Sequence, residues 1–232
     1  MSTTPTATTS RRRPRDLRRT WRWGLALLAP LPMLAVAAEA VFVPYGEFAT
    51  AREQLTAGAA APGRLTLALW MGFLGVLLAV PATMAVAWTV RRAAPRLALA
   101  GGLSCLVGFG MTWAIPNTDQ VVRVAAEGGY DVTRVASVID LAAGHPSANV
   151  AVGIFLVGQL IGLVLLGCAL WRTPGAPRWA AVALAVSGPL HVAVAGFPVA
   201  AAGSWVLTAL GYAGASVALV RSRDEDFDLP PA

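Results

Sequence analysis

Four polar side chains stand out in an otherwise apolar sequence: Glu39, His145, Asn149 and His191. A carboxylate, two imidazoles and an amide can hold a proton, bind a cation or order a small ligand, provided the fold brings them together. Glu39 and His191 lie inside apolar runs, Asn149 stands one turn into another, and His145 precedes that run in Gly144-His145-Pro146. At 1.5 Å of rise per residue, Glu39 falls about 6 Å and His191 about 10 Å below the same end of their segments. All four read to one leaflet. If the runs that carry them pack together, they form an outward-facing polar pocket with Glu39 and His191 paired at its mouth. The competing reading makes Glu39 a side chain that reaches up to the headgroups. It makes His191 a neutral ring hydrogen-bonded to a neighbouring helix beside Pro189, which cannot donate to the Ala185 carbonyl.

Other chemistry finds less support. There is no HExxH and no close pair of histidines, so no residue is assigned to a metal or haem. No nucleophile stands at a useful spacing from a base, and no glycine-rich phosphate loop is present, so no catalytic or cofactor-binding residue is assigned and no cofactor is expected. Cys105 falls mid-membrane and Cys168 near the opposite face, which reads as two small apolar residues and no disulfide. Gly158-Gln159-Leu160-Ile161-Gly162 is a GxxxG whose flat stripe admits another backbone, with Gln159 placed to hydrogen-bond across helices. Packing within one bundle is the plainer reading of that stripe, and homodimerisation is the alternative.

The elements that must position these residues are membrane helices. Of 232 residues, 56% are hydrophobic and 13% charged, against about 25% charged in soluble domains. Mean hydropathy is +0.63. Six segments, 24–43, 65–89, 97–115, 147–171, 178–198 and 200–220, match the roughly 20 apolar residues that cross a bilayer. Arg178, at the first position of the fifth, is the sole arginine within them, and Glu39 is the sole acidic residue. The fold class expected is all-α, a polytopic six-span bundle.

All 18 basic residues are arginine, and their placement sets the orientation. Fourteen fall before span 1 (from Arg11 to Arg22), after span 2 (Arg91, Arg92, Arg96), after span 4 (Arg172, Arg178) and in the tail (Arg221, Arg223). The other side holds Arg52, Arg64, Arg123 and Arg134, offset by six acidic residues. Basic loops stay inside, so both termini read as cytoplasmic. The net charge of +6 belongs to this topology pattern and not to a nucleic-acid groove. An arginine-only basic set with excess Ala, Gly and Val points to a high-GC bacterial genome, and hence to a bacterial plasma membrane.

Three regions follow. Residues 1–23 read as a disordered, Arg-rich cytoplasmic segment that meets anionic lipid headgroups, 24–220 as the transmembrane domain, and 221–232 as an acidic cytoplasmic tail. A cleaved signal peptide competes for span 1, but its apolar stretch has full bilayer width and five more spans follow. Of the outer loops 44–64 and 116–146, the second is expected to hold a helical piece near 118–126. After Gly128-Gly129, a second piece carries Val135, Val138, Ile139 and Ala142 on one face, capped by Asp131 or Thr133. The turns after spans 2 and 4 both end in Ala-Pro-Arg, at 94–96 and 176–178, which reads equally as a parallel repeat or as shared loop chemistry.

The stretch from His145 through Asn149-Val150-Ala151-Val152-Gly153, then Leu170-Trp171-Arg172, Pro177-Arg178-Trp179 and Gly188-Pro189-Leu190-His191, resembles small six-helix actinobacterial membrane proteins of the domain-of-unknown-function class. The likeness is strongest over 145–220. It implies fold class and membrane location, and carries no activity with it. The leading functional expectation is a non-catalytic accessory, sensory or structural membrane component. A small-solute transporter or channel using the outer polar site comes second, and a membrane-embedded enzyme third.

Overall fold

The computed structural model describes residues 17–46, 48–194 and 196–223. The arginines at 11–15, the expected disorder of the N-terminus and the acidic tail from Asp224 lie outside them. Among the described residues there are ten α-helices and no strand: α1 (Arg18–Leu28), α2 (Leu31–Phe42), α3 (Ala51–Ala60), α4 (Pro62–Val90), α5 (Pro95–Met111), α6 (Thr118–Gly128), α7 (Val132–Ala143), α8 (Pro146–Trp171), α9 (Arg178–Val194) and α10 (Pro198–Arg221).

Five helical runs have the length and apolarity to cross a membrane: α1 with α2, α4, the run opened by α5, α8 and α10. The sixth expected span, 178–198, is the apolar but shorter α9 of 17 residues. It stops before the segment expected because Gly196 makes a turn and Pro198 opens the next helix.

The helices form a ring in chain order. α2 packs on α4, α4 on α5, α5 on α8, α8 on α9, α9 on α10, and α10 returns to α2. Aromatic and aliphatic side chains fill its interior, among them Met33, Phe109, Leu163, Leu166, Trp205 and Tyr212. Large apolar side chains also cover the outside, for example Trp70, Leu99, Leu103, Val157 and Val186. Helices apolar on all sides are those of a bundle solvated by lipid.

Local chemistry explains the joints. Pro30 has no N–H for the carbonyl of Ala26, which separates α1 from α2. Ser216 on α10 takes up that orphaned carbonyl, donating to Ala26 O at 2.6 Å. Between α5 and α8, glycines let the two backbones meet. A Cβ added at Gly158 would lie 2.7 Å from Ser104 O, and one at Gly108 would lie 2.8 Å from Gln159 N. The GxxxG stripe of α8 therefore lies against α5 of its own bundle. Cys105 is buried beside Gly162 in this seam, while Cys168 is exposed, and both are free.

The two ends of the bundle differ. At one, α1, the turn 91–94, the turn 172–177 and the end of α10 come together, tied by a hydrogen bond from Arg22 Nη1 to Ser222 O. Arg91 stacks on Trp88 at 3.7 Å and Arg178 on Trp171 at 5.3 Å, and Trp21, Trp23 and Trp179 are exposed nearby. Arginines over an aromatic belt are the pattern of a membrane interface.

At the other end α3, α6 and α7 build a cap with its own small core of Leu55, Leu65, Val122, Ala125 and Ile139. Asp131 caps α7 by accepting from Thr133 N and Arg134 N, and Gly129 ends α6 at φ +62°. α3 starts with a capping box in which Thr50 and Glu53 exchange hydrogen bonds. Three of the four arginines on this side are engaged locally: Arg52 with Thr133, Arg64 with Val41 O, and Arg123 with Thr66 and Glu127.

Candidate functional site

The space between cap and bundle is not filled. Two adjoining cavities of about 310 and 280 Å³ lie there, and Val36, Glu39, Thr118, Asp119 and Trp205 line both. The first adds Tyr45, Gln54 and His191, and the second adds the aromatic rings of Phe109 and Phe155. Glu39 comes from the last turn of α2, Asp119 from the first turn of α6, His191 from α9 and Trp205 from α10. Four elements far apart in sequence meet here because α10 closes the ring between α9 and α2.

A gap in the neighbouring helix makes room for Glu39. A Cβ added at Gly72 of α4 would overlap the Glu39 carboxyl group. Asp119 accepts a hydrogen bond from Tyr45 Oη at 2.5 Å. Burial holds the Asp119 carboxyl above its ordinary range, offset in part by that hydrogen bond. Burial and the adjacent carboxylate push the Tyr45 phenol well above its usual range, so it remains the donor.

His191 is buried against the Trp205 ring at 4.6 Å, and its Nδ1 lies 3.0 Å from Ser204 Oγ. Ser204 already donates its hydroxyl hydrogen to Ala201 O at 2.6 Å. The serine oxygen must then accept from Nδ1–H, which leaves Nε2 of a neutral ring as the lone-pair nitrogen. Gln54 donates Nε2–H to Ala49 O at 2.9 Å, while its Oε1 is buried with no partner. The cavities thus present acceptors in excess, two carboxyl groups and an imidazole nitrogen, with the unpartnered Gln54 amide oxygen buried in their wall. No arginine among the described residues lines either cavity. Among the described residues no group of three or more His, Cys, Asp or Glu has a geometry that would hold a metal ion.

Of the four side chains singled out in the sequence, Glu39 and His191 share the first cavity. No direct hydrogen bond joins them, and the histidine is oriented instead by Ser204 at Nδ1. His145 and Asn149 are elsewhere. His145 caps α8, with Nδ1 2.8 Å from Ser147 Oγ, and Asn149 donates to Gly144 O at 3.4 Å. Gln159 is 2% exposed in the bundle interior, and neither of its amide atoms has a hydrogen-bond partner.

Sequence reasoning missed Asp119, Tyr45, Gln54 and Trp205. Asp119 counted only as a loop charge, although it follows the Asn117 cap of α6 and so had a fixed place in a first turn. No family model, no curated protein and no solved structure matches the chain. What the site does has to be argued from its geometry.

Proposed function

We propose that this chain is a six-span bacterial plasma-membrane protein, with both termini in the cytoplasm, that holds a small organic cation beneath its outer cap. Its role on this reading is sensory or accessory and not catalytic. The observation that carries it is the placement of Glu39 and Asp119 on the shared wall of two cavities that no arginine among the described residues lines. Two carboxyl groups facing one low-dielectric space repel each other when ionised, and a cation or a proton relieves that repulsion. The aromatic surroundings select between the two. Trp205, Tyr45, Phe109 and Phe155 offer ring faces to an alkylated ammonium group, which is weakly hydrated and favoured by such a box. The acceptor nitrogen of His191 would orient an N–H group on the same ligand.

Binding is favoured over passage because the bundle beneath the cavities is packed with Phe109, Trp205 and Tyr212, and Thr83 and Tyr212 are joined by a 2.9 Å hydrogen bond across its centre. Among the described residues the one hydroxyl held by His191, that of Ser204, donates to Ala201 O and does not line the cavity, which weighs against the enzyme reading.

The test is thermal unfolding of the purified protein in neutral detergent, with choline, tetramethylammonium or putrescine added and acetate as control. Saturation to one hundred times Kd should stabilise the protein by about 2.7 kcal/mol. Glu39→Gln with Asp119→Asn should remove the effect. If none of the cations shifts Tm, or if the double variant responds as the parent does, the reading is wrong.

A further inference from the structure

Below the two carboxyl groups the second cavity, of about 280 Å³, continues into the bundle as an apolar slot. The register of α2 against α4 sets its depth. Gly72 faces the Glu39 carboxyl group, a Cβ added at Gly75 would meet Val36, and Met33 and Ala79 line the slot a further turn inward. Met33 precedes Glu39 by six residues on α2, which is about 9 Å along the helix. Thr83, one turn beyond Ala79 on α4, is joined to Tyr212 at 2.9 Å and closes the slot from below.

The slot offers little to water. Val76, Phe109, Phe155 and Trp205 complete its walls. The Thr112 hydroxyl, which also lines the cavity, donates to Phe109 O at 2.6 Å, and Asn117 Oδ1 accepts from Gln120 N at 3.0 Å. A space lined in this way stays dry and takes hydrocarbon. A compact ammonium ion held at the carboxyl groups would leave it empty. The surroundings of the first cavity are apolar too. Pro198 lines it, and the neighbouring Phe197 and Val199 are exposed. Phe48, also exposed, lies against Gly196, where an added Cβ would overlap its ring. Exposed apolar side chains gathered at one place mark an approach for an apolar group.

We propose that the ligand is amphipathic, with an alkylated ammonium group between Glu39 and Asp119 and a hydrocarbon tail of about six carbons in the slot, whose depth is about 9 Å. This inference rests on the cation reading of the carboxyl groups and narrows it to cations that carry a chain. Charge fixes one end of such a ligand and the dry slot fixes the other. Each methylene moved from water into that space contributes about 0.8 kcal/mol, roughly fourfold in affinity.

The experiment is calorimetry on the full chain in neutral detergent, with alkyltrimethylammonium ions whose variable chain runs from methyl to decyl. Alkanesulfonates of the same chain lengths serve as controls that enter micelles but carry the wrong charge. Affinity for the ammonium ions should rise about fourfold per methylene as far as about hexyl and then level off at the floor of the slot, while the sulfonates do not bind. If tetramethylammonium binds and longer chains bring no gain, the slot is not part of the site, and this proposal falls while the cation reading stands. If no ammonium ion of any length binds, both fall. A rise that continues unbroken to decyl, with the sulfonates following it, reports partition into micelles and also overturns the proposal. Ala79→Leu adds three carbons at the lower end of the slot. It should cut the gain from butyl to hexyl from about 15-fold to less than about threefold, and an unchanged gain in the folded variant would place the chain elsewhere. Should that variant fail to fold, the chain-length series on the parent protein decides alone.

Discussion

Tyr45 donates its phenolic hydrogen to the Asp119 carboxylate across 2.5 Å, and in doing so joins the chain just beyond α2 to the first turn of α6, 74 residues later. This contact sets the roof of the cavities over Glu39. It also leaves a carboxyl group half-buried where no arginine among the described residues lines the cavity, and the consequences can be measured.

Replacing Asp119 by Asn should stabilise the protein at neutral pH while weakening cation binding. Burial raises the Asp119 pKa in the folded state, so the native protein holds this proton more tightly than the unfolded chain does. The associated stability is complete below the ordinary aspartate value of about 3.9 and is lost as pH rises through the raised folded value. Asn cannot ionise, and its side-chain oxygen still accepts from Tyr45. At pH 7 the gain should be about 1–2 kcal/mol, read from chemical or thermal unfolding. A less stable variant would show that the ionised form of Asp119 is matched by a partner.

Binding of an organic cation should weaken on acidification, and should do so above the pH at which exposed aspartates titrate. The cause is protonation of Asp119 at its raised pKa, which removes one of the two charges facing the ligand. A titration of choline affinity from pH 8 to pH 4 reads this directly. A flat profile would remove Asp119 from the binding site.

Gly72→Ala tests Glu39 without changing any charge. The added methyl would occupy the space of the Glu39 carboxyl group, whose flexible side chain can swing away from it. Alanine favours a helix over glycine by about 1 kcal/mol, so the fold should be retained or slightly strengthened. Cation affinity should drop at least tenfold, on the order of 1.4 kcal/mol. An unchanged affinity in a folded variant would place the ligand away from Glu39.

Gln159→Met should be neutral or stabilising by up to about 1 kcal/mol, since it exchanges an amide without hydrogen bonds for an apolar side chain of similar volume. A clear loss of stability would show that the amide holds a water molecule within the bundle.

Reporter fusions after residues 58, 93, 130, 175 and 232 should read outside, inside, outside, inside and inside. The arginine distribution demands this pattern. An inside reading at 130 would invert the cap and defeat the cation site as an extracytoplasmic one.

Five of the six expected spans were legible in the sequence because lipid imposes one rule, a long apolar run, and α9 with its 17 residues falls short of it. α6 and α7 were legible because Gly128-Gly129 and Asp131 punctuate them locally. α3 was overlooked although Thr50 and Glu53 announce it, since Ala51 and Gly58 make too faint an apolar face. The site was half legible. Depth along a helix follows from counting residues, and it placed Glu39 and His191 at one end. The direction a side chain faces around the ring depends on which helices become neighbours. His145 and Asn149 have suitable depth, but they bond within the first turn of α8 and line neither cavity. Asp119 became a site residue through Tyr45, a contact that no local pattern encodes.

The closure of the ring by α10 bears on how the protein is made. His191 waits on α9 for Ser204, and the orphaned carbonyl of Ala26 in α1 waits for Ser216. Both partners reside in α10, which is synthesised after α1, α2 and α9. Until that helix inserts, α2 and α9 present polar groups to lipid, and the wall that Trp205 supplies is missing. A chain interrupted before residue 198 would lack the helix that closes the ring, and with it the partners of His191 and of the Ala26 carbonyl and the Trp205 wall of the cavities.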